Sequence, residues 1–199
     1  MRLRRRSHQP LAFQYFFGIG LLIVGVLIGI DFPDIDQRTV LLNHRSLLTH
    51  GFIAPVILFR FVYLYRSAVP RLFGVGVCTA LLVHLAFDLF PRAWTGFALL
   101  TVPVFGRTSA LFSKIWLVLS VIVLFYLTLL LIQTLLEFLL ATGSLILSVI
   151  AYAPGEPAVI EPVLLMTVCA IVVVAILPSP GGVIARKFGV VVWRLRRIF

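Results

Sequence analysis

Residues 115–153, IWLVLSVIVLFYLTLLLIQTLLEFLLATGSLILSVIAYA, decide the class of fold. Only Gln133, Glu137 and Gly143 interrupt the run to any degree. A bilayer core is crossed by roughly 20 consecutive apolar residues. The run is therefore long enough for two crossings joined by a tight turn, or for one long helix and a half-span. Its apolar residues are continuous and do not alternate, which argues for helices and against a β-barrel.

Working outward, further apolar runs fall at 11–30, 50–65, 72–90 and 159–177. The whole chain is 61% hydrophobic with mean hydropathy +1.13, against about 45–50% apolar residues in a soluble domain. The expected fold is all-α, a polytopic transmembrane helical bundle. Six spans follow if 115–153 is a hairpin, and five if it is not. The stretch 96–105 is too short to cross and reads as a re-entrant or interfacial segment. Trp94 and Trp116 suit an interfacial belt. Gly18, Gly25 and Gly29 lie along one side of the first span and leave room for another helix.

The net charge of +10 is concentrated at the ends. Arg2, Arg4, Arg5 and Arg6 stand in a basic segment, 1–10. Arg186, Lys187, Arg194, Arg196 and Arg197 stand in a linker and amphipathic tail, 179–199. The transmembrane domain is 11–178. Basic ends beside spans read as cytoplasmic anchors on anionic lipid. Two cytoplasmic ends require an even number of spans, hence six, in the plasma (inner) membrane. No soluble basic domain of the kind that binds nucleic acid is visible. Cys78 and Cys169 sit in apolar runs and read as small buried residues. Arg60, Arg66 and Arg71 lie where long side chains can snorkel to an interface. Glu137, one turn after Gln133, reads as a helix–helix hydrogen-bonding group.

The chemistry lies in DFPDIDQRTVLLNHRSLLTH, 31–50, and HLAFD, 84–88. These two stretches hold all four aspartates, Asp31, Asp34, Asp36 and Asp88, and His44, His50 and His84. The end of the first span, the start of the second and the end of the third must face the same side of a membrane. Topology alone thus gathers the three clusters at one face, the outer one in the six-span arrangement. His84 and Asp88 are four apart and project from one helical face. His44 and His50 are six apart, so the second helix should begin between them, capped by Ser46 or Thr49. Imidazole and carboxylate together suit a divalent ion, zinc foremost, with manganese or iron as alternatives. The candidate ligands are Asp34, Asp36, His44, His50, His84 and Asp88, enough for one or two ions. Arg45 can offer its fork to a phosphate. Asp31 is a candidate general base.

At these residues the chain resembles the YdjM-like family of membrane-bound metal-dependent hydrolases. The matching motifs are Pro33-Asp34-Ile35-Asp36, His44-Arg45, Thr49-His50 and His84-Leu85-Ala86-Phe87-Asp88, within 25–91. Gln37 stands where the family pattern has His, Gly51 where it has Ser, and HRSLLTH is one residue longer than its counterpart. The resemblance implies a helical membrane protein with a divalent metal site. The expected function is metal-dependent hydrolysis of a phosphoester or lipid at the membrane surface. The alternative is a non-enzymatic metal or proton carrier, or a scaffold that retains a degenerate site.

Overall fold

The computed structural model describes residues 11–38, 42, 44–65 and 67–176. The segment 1–10, the linker and tail 179–199, and Arg66 lie outside the described residues. The described chain is all-α apart from one tiny hairpin. Its helices are α1 (Leu11–Asp31), α2 (Ile53–Val62), α3 (Ala68–Phe87), α4 (Ala110–Leu131), α5 (Leu135–Tyr152) and α6 (Ile160–Ile176). Strand β1 (Thr101–Val102) pairs antiparallel with β2 (Gly106–Arg107) between α3 and α4.

Four helices, α1, α3, α4 and α5, are long and apolar enough to cross a membrane, and α2 and α6 are shorter apolar helices. The run 115–153 is a hairpin of α4 and α5, with its turn at 132–134. Thr134 caps α5 by accepting a hydrogen bond from the Glu137 backbone N–H at 3.1 Å. The second helix is shorter than the sequence predicts. Its 10 residues rise only about 15 Å, half the thickness of a bilayer core. The polar groups before it are drawn away to Asp36 and do not extend the helix. Neither Ser46 nor Thr49 caps it: the residue at its N-terminus is Phe52, without a side-chain cap.

Helix α3 is the centre of the bundle. Of its apolar window 83% is buried, against 33%, 39% and 22% for α1, α4 and α5. It begins before Pro70, at a cap made by Ser67, whose hydroxyl accepts from the Val69 N–H at 3.3 Å. Pro70 is tolerated because first-turn N–H groups have no partner within the helix. Between helices in lipid, packing comes from close fit and not from hydrophobic burial. The glycine side of α1 supplies that fit against α3. A Cβ at Gly25 would lie 2.5 Å from the Phe73 carbonyl oxygen, and one at Gly29 would lie 2.6 Å from that of Val77. Farther along, Thr79 of α3 and Ser144 of α5 share a hydrogen bond of 2.6 Å.

The segment 96–105 is largely non-helical. It forms a 3₁₀ turn at Gly96–Ala98 followed by the hairpin. The hairpin braces the polar segment before α2. The Thr101 N–H donates to the Arg45 carbonyl at 2.9 Å, and the Leu47 N–H donates to the Thr101 carbonyl at 2.9 Å.

At the opposite end of α3, Arg71 does not snorkel. It is buried and ion-paired to the buried carboxylate of Glu137. Arg71 also donates to the Ser67 carbonyl at 3.0 Å, and Glu137 accepts from the Gln133 backbone N–H at 2.6 Å. This buried pair ties the start of α3 to the start of α5.

Candidate metal centre

Pro33 starts a 3₁₀ turn, Pro33–Arg38, directly after α1. Proline cannot continue a helix, because it lacks the N–H and clashes with the preceding turn. The turn swings Asp34 and Asp36 under the C-terminal end of α3, where His84 and Asp88 stand one turn apart. Residues 44–50 form irregular turns that complete the ring.

Asp34, His50 and His84 converge, each offering a ligand atom within 4.8 Å of the others. Both imidazoles are fully buried. Each is held from behind through Nδ1. That of His84 lies 2.8 Å from the Ile30 carbonyl, and only a protonated Nδ1 can donate there. That of His50 lies 3.3 Å from Asp36 Oδ2 and 3.1 Å from the Thr49 hydroxyl. With Nδ1 so engaged, the lone pair of each ring sits on Nε2. The two Nε2 atoms flank Asp88 Oδ2, at 3.5 Å from His50 and 3.6 Å from His84. No described residue donates a hydrogen bond to that oxygen.

A buried carboxylate oxygen without a donor, facing two bare imidazole nitrogens, is costly as it stands. The separations exceed a hydrogen bond. They match the spacing of neighbouring ligands around an ion at about 2.0–2.2 Å from each. The residues present therefore fit a divalent cation. Histidines backed by a carboxylate or carbonyl are the usual support of such ligands.

The remaining expected ligands stand apart from this group. Asp36 lies behind His50. Its Oδ2 accepts from the Ser46 N–H at 2.7 Å and from the Thr49 hydroxyl at 2.9 Å. Burial pushes its carboxyl up, but the hydrogen bonds from His50, Ser46 and Thr49 outweigh this and hold it below its ordinary range. His44 is half-buried, with Nδ1 3.9 Å from Asp36 Oδ1 and its ring against Phe97. Burial pulls its imidazole down, and the approach of Asp36 opposes that only in part. Asp31 is exposed at the end of α1.

Arg45 is turned inward and is not presented to a phosphate. Its Nη2 is ion-paired to Asp88 Oδ1, and its Nη1 donates to the Ala98 carbonyl at 2.7 Å. The residue takes a left-handed backbone, φ 56°, an uncommon conformation for a side-chain-bearing residue. The hairpin contact to its carbonyl and the pair with Asp88 hold it there. Arg45 thus fixes one Asp88 oxygen and leaves the other aimed at the histidines.

Two residues of the site carry no ligand motif. The ring of Tyr152, the last residue of α5, packs against that of His84 with centroids 4.6 Å apart. Glu156 follows in the loop to α6, near Tyr152 and Asp88. Burial and the nearby charge of Asp88 push its carboxyl up. The signal for Glu156 is topological: the loop between the last two helices emerges on the face that bears the aspartates and histidines. On the other flank, the Trp116 indole N–H donates to the His50 carbonyl at 2.9 Å.

Fold and site together define a helical membrane protein with a buried carboxylate–imidazole centre able to hold a metal ion. Comparison with known proteins found no family model, curated protein or solved structure that matches the chain.

Proposed function

We propose that the chain is a membrane-embedded, zinc-dependent hydrolase of the YdjM-like type that acts on phosphoester or lipid substrates. In this reading the chain crosses the inner membrane six times, the shorter helices α2 and α6 each forming part of a crossing, with both termini cytoplasmic and the centre at the outer face. The carrying observation is the Asp88 oxygen between the two Nε2 atoms, which receives no donor among the described residues. His50, His84, Asp34 and Asp88 would hold the ion. A bound zinc lowers the pKa of its water to near 7 and stabilises developing negative charge on a substrate oxygen. The chain's own contributions are distinct. Ile30 and Asp36 fix the histidine tautomers. Arg45 fixes the orientation of Asp88. Glu156, whose carboxyl is pushed up by burial and by the charge of Asp88, is the candidate to take up a proton beside the centre.

Metal analysis of the purified protein tests the reading. Wild type should retain zinc or manganese, and His84→Ala combined with Asp88→Ala should lose it. A wild type without metal affinity would sink the idea. A second reading, a carrier or scaffold with a vestigial centre, draws on Gln37, whose amide donates to Asp34 Oδ1 at 2.7 Å and so occupies one of that ligand's two oxygens. Phosphoesterase activity removed by chelator and restored by zinc would exclude it.

A further inference from the structure

A groove of about 390 Å³ runs between α5 and α6 and is floored by Phe125 of α4. That volume is in the range of pockets that take small ligands, about 300–1,000 Å³. Val149 and Met166 line its inner part, and Ala170 closes its far end. Nothing in its lining can recognise a polar ligand. The one polar lining residue is Thr167, and its hydroxyl is spent on the Val163 carbonyl at 2.9 Å. Ile146 and Ile150 form the outer lip and are 54% and 65% exposed. The groove therefore opens sideways, into whatever surrounds the helices.

The groove lies on the face of α5 that carries Tyr152. Val149 precedes Tyr152 by three residues, so both lie on one face of α5, with about 4.5 Å of rise between them. Tyr152 is the residue whose ring covers His84. A chain that fills the groove thus ends about one helical turn short of Tyr152, with hydrocarbon on one side of that ring and His84 on the other. This arrangement complements an amphiphile and no purely polar molecule.

We infer that the groove seats one hydrocarbon chain of a lipid whose polar head lies at the Asp34–His50–His84–Asp88 centre, entering laterally past Ile146 and Ile150. The inference rests on the hydrolase reading and names its substrate class: single chains of membrane lipids that bear an anionic, metal-seeking head. Bulk lipid would coat the outward faces of α5 and α6 equally, and it would ignore the ion.

The test uses the full chain in nanodiscs with hexadecyl phosphonate, a hydrolysis-resistant probe, carrying a diazirine in its chain. Photo-adducts should concentrate on Val149, Met166 and Ala170, and manganese should raise their yield several-fold. Ala170→Trp should lower the groove adducts about tenfold, as expected when the burial of about two methylenes is blocked. Ala170→Leu should give an intermediate loss. Adducts on outward-facing Leu164 and Ile171 should not change in either variant. Adducts spread evenly over inner and outer residues, or groove adducts indifferent to manganese that has bound, would overturn the inference. Manganese binding is read separately by electron paramagnetic resonance. Its retention in the Ala170 variants shows that they are folded, and its absence from wild type overturns the hydrolase reading and not the groove.

Discussion

Helix α3 carries a buried charge cluster at each end, and the two are built on opposite plans. At its start, the Arg71 cation meets the Glu137 anion, and Ser67 and Gln133 supply further hydrogen bonds. At its end, Asp34, Asp36 and Asp88 gather around two buried imidazoles and a single guanidinium. The first cluster is closed, with charge matched by charge. The second has an excess of anion and a carboxylate oxygen that receives no described donor. Both lie where ionisable groups are expensive. A matched pair needs no further component, whereas a buried anionic excess calls for a cation. Burial of charge alone therefore does not separate a strut from a site; the balance of donors and acceptors does.

The largest expected effect breaks the closed cluster. Glu137→Ala would strand the Arg71 charge and should cost about 3–5 kcal/mol of stability, as for other broken buried pairs. Replacing both members, Arg71→Met with Glu137→Leu, should be close to neutral. Thermal unfolding in detergent reads both, and metal content should change in neither. If Glu137→Ala costs nothing, the pair is not the strut described here. At the open end the order reverses. His84→Ala should abolish metal retention, measured by elemental analysis, while its effect on the melting temperature of the metal-free protein stays below that of Glu137→Ala.

Asp36→Asn probes the support of the centre and not its ligands. It should weaken metal affinity about 10–100-fold, the usual loss when the partner behind a ligating histidine is removed. Competition titration with a chelating dye measures this. An unchanged affinity would mean that Asp36 does not set the His50 tautomer.

The smallest effect is on pH dependence. Asp36 in the fold sits below its ordinary value of 3.8. Its contribution to stability is thus complete above that value and is lost as pH falls through the depressed one. The acid limb of unfolding for Asp36→Asn should be shallower than for wild type below pH 3.8, with equal slopes near neutrality, where wild type keeps its full Asp36 contribution. Identical limbs would remove Asp36 from the network.

Much of this was open to reading before any coordinates. The motifs placed at the ends of the first and third apolar runs had to share a face. The glycine side of α1 follows from small-residue spacing, while the α4–α5 hairpin was one of two arrangements open to 115–153, favoured by the even span count that two basic ends require. Two things were not legible. Asp34 and Asp36 differ by two positions, and only the course of the 3₁₀ turn puts one toward the two imidazoles and the other behind His50. Arg45 reads as a fork for a substrate phosphate and Arg71 as a cation that snorkels to the interface. Each is turned inward by a carboxylate far off in sequence, Asp88 and Glu137, and a long-range pair leaves no local pattern.

The sequence by itself determined the class of the molecule and the residue types of its centre, because hydropathy and ligand chemistry are properties of single residues and short runs. The tertiary structure decided which of those residues face one another. It set two histidines by their Nδ1 partners, tied one oxygen of Asp88 to Arg45 and left the other exposed to the pair. It also brought Tyr152 and Glu156 in from the far end of α5. Such choices depend on orientation at the scale of one or two ångströms, which only the packing of helices around α3 supplies.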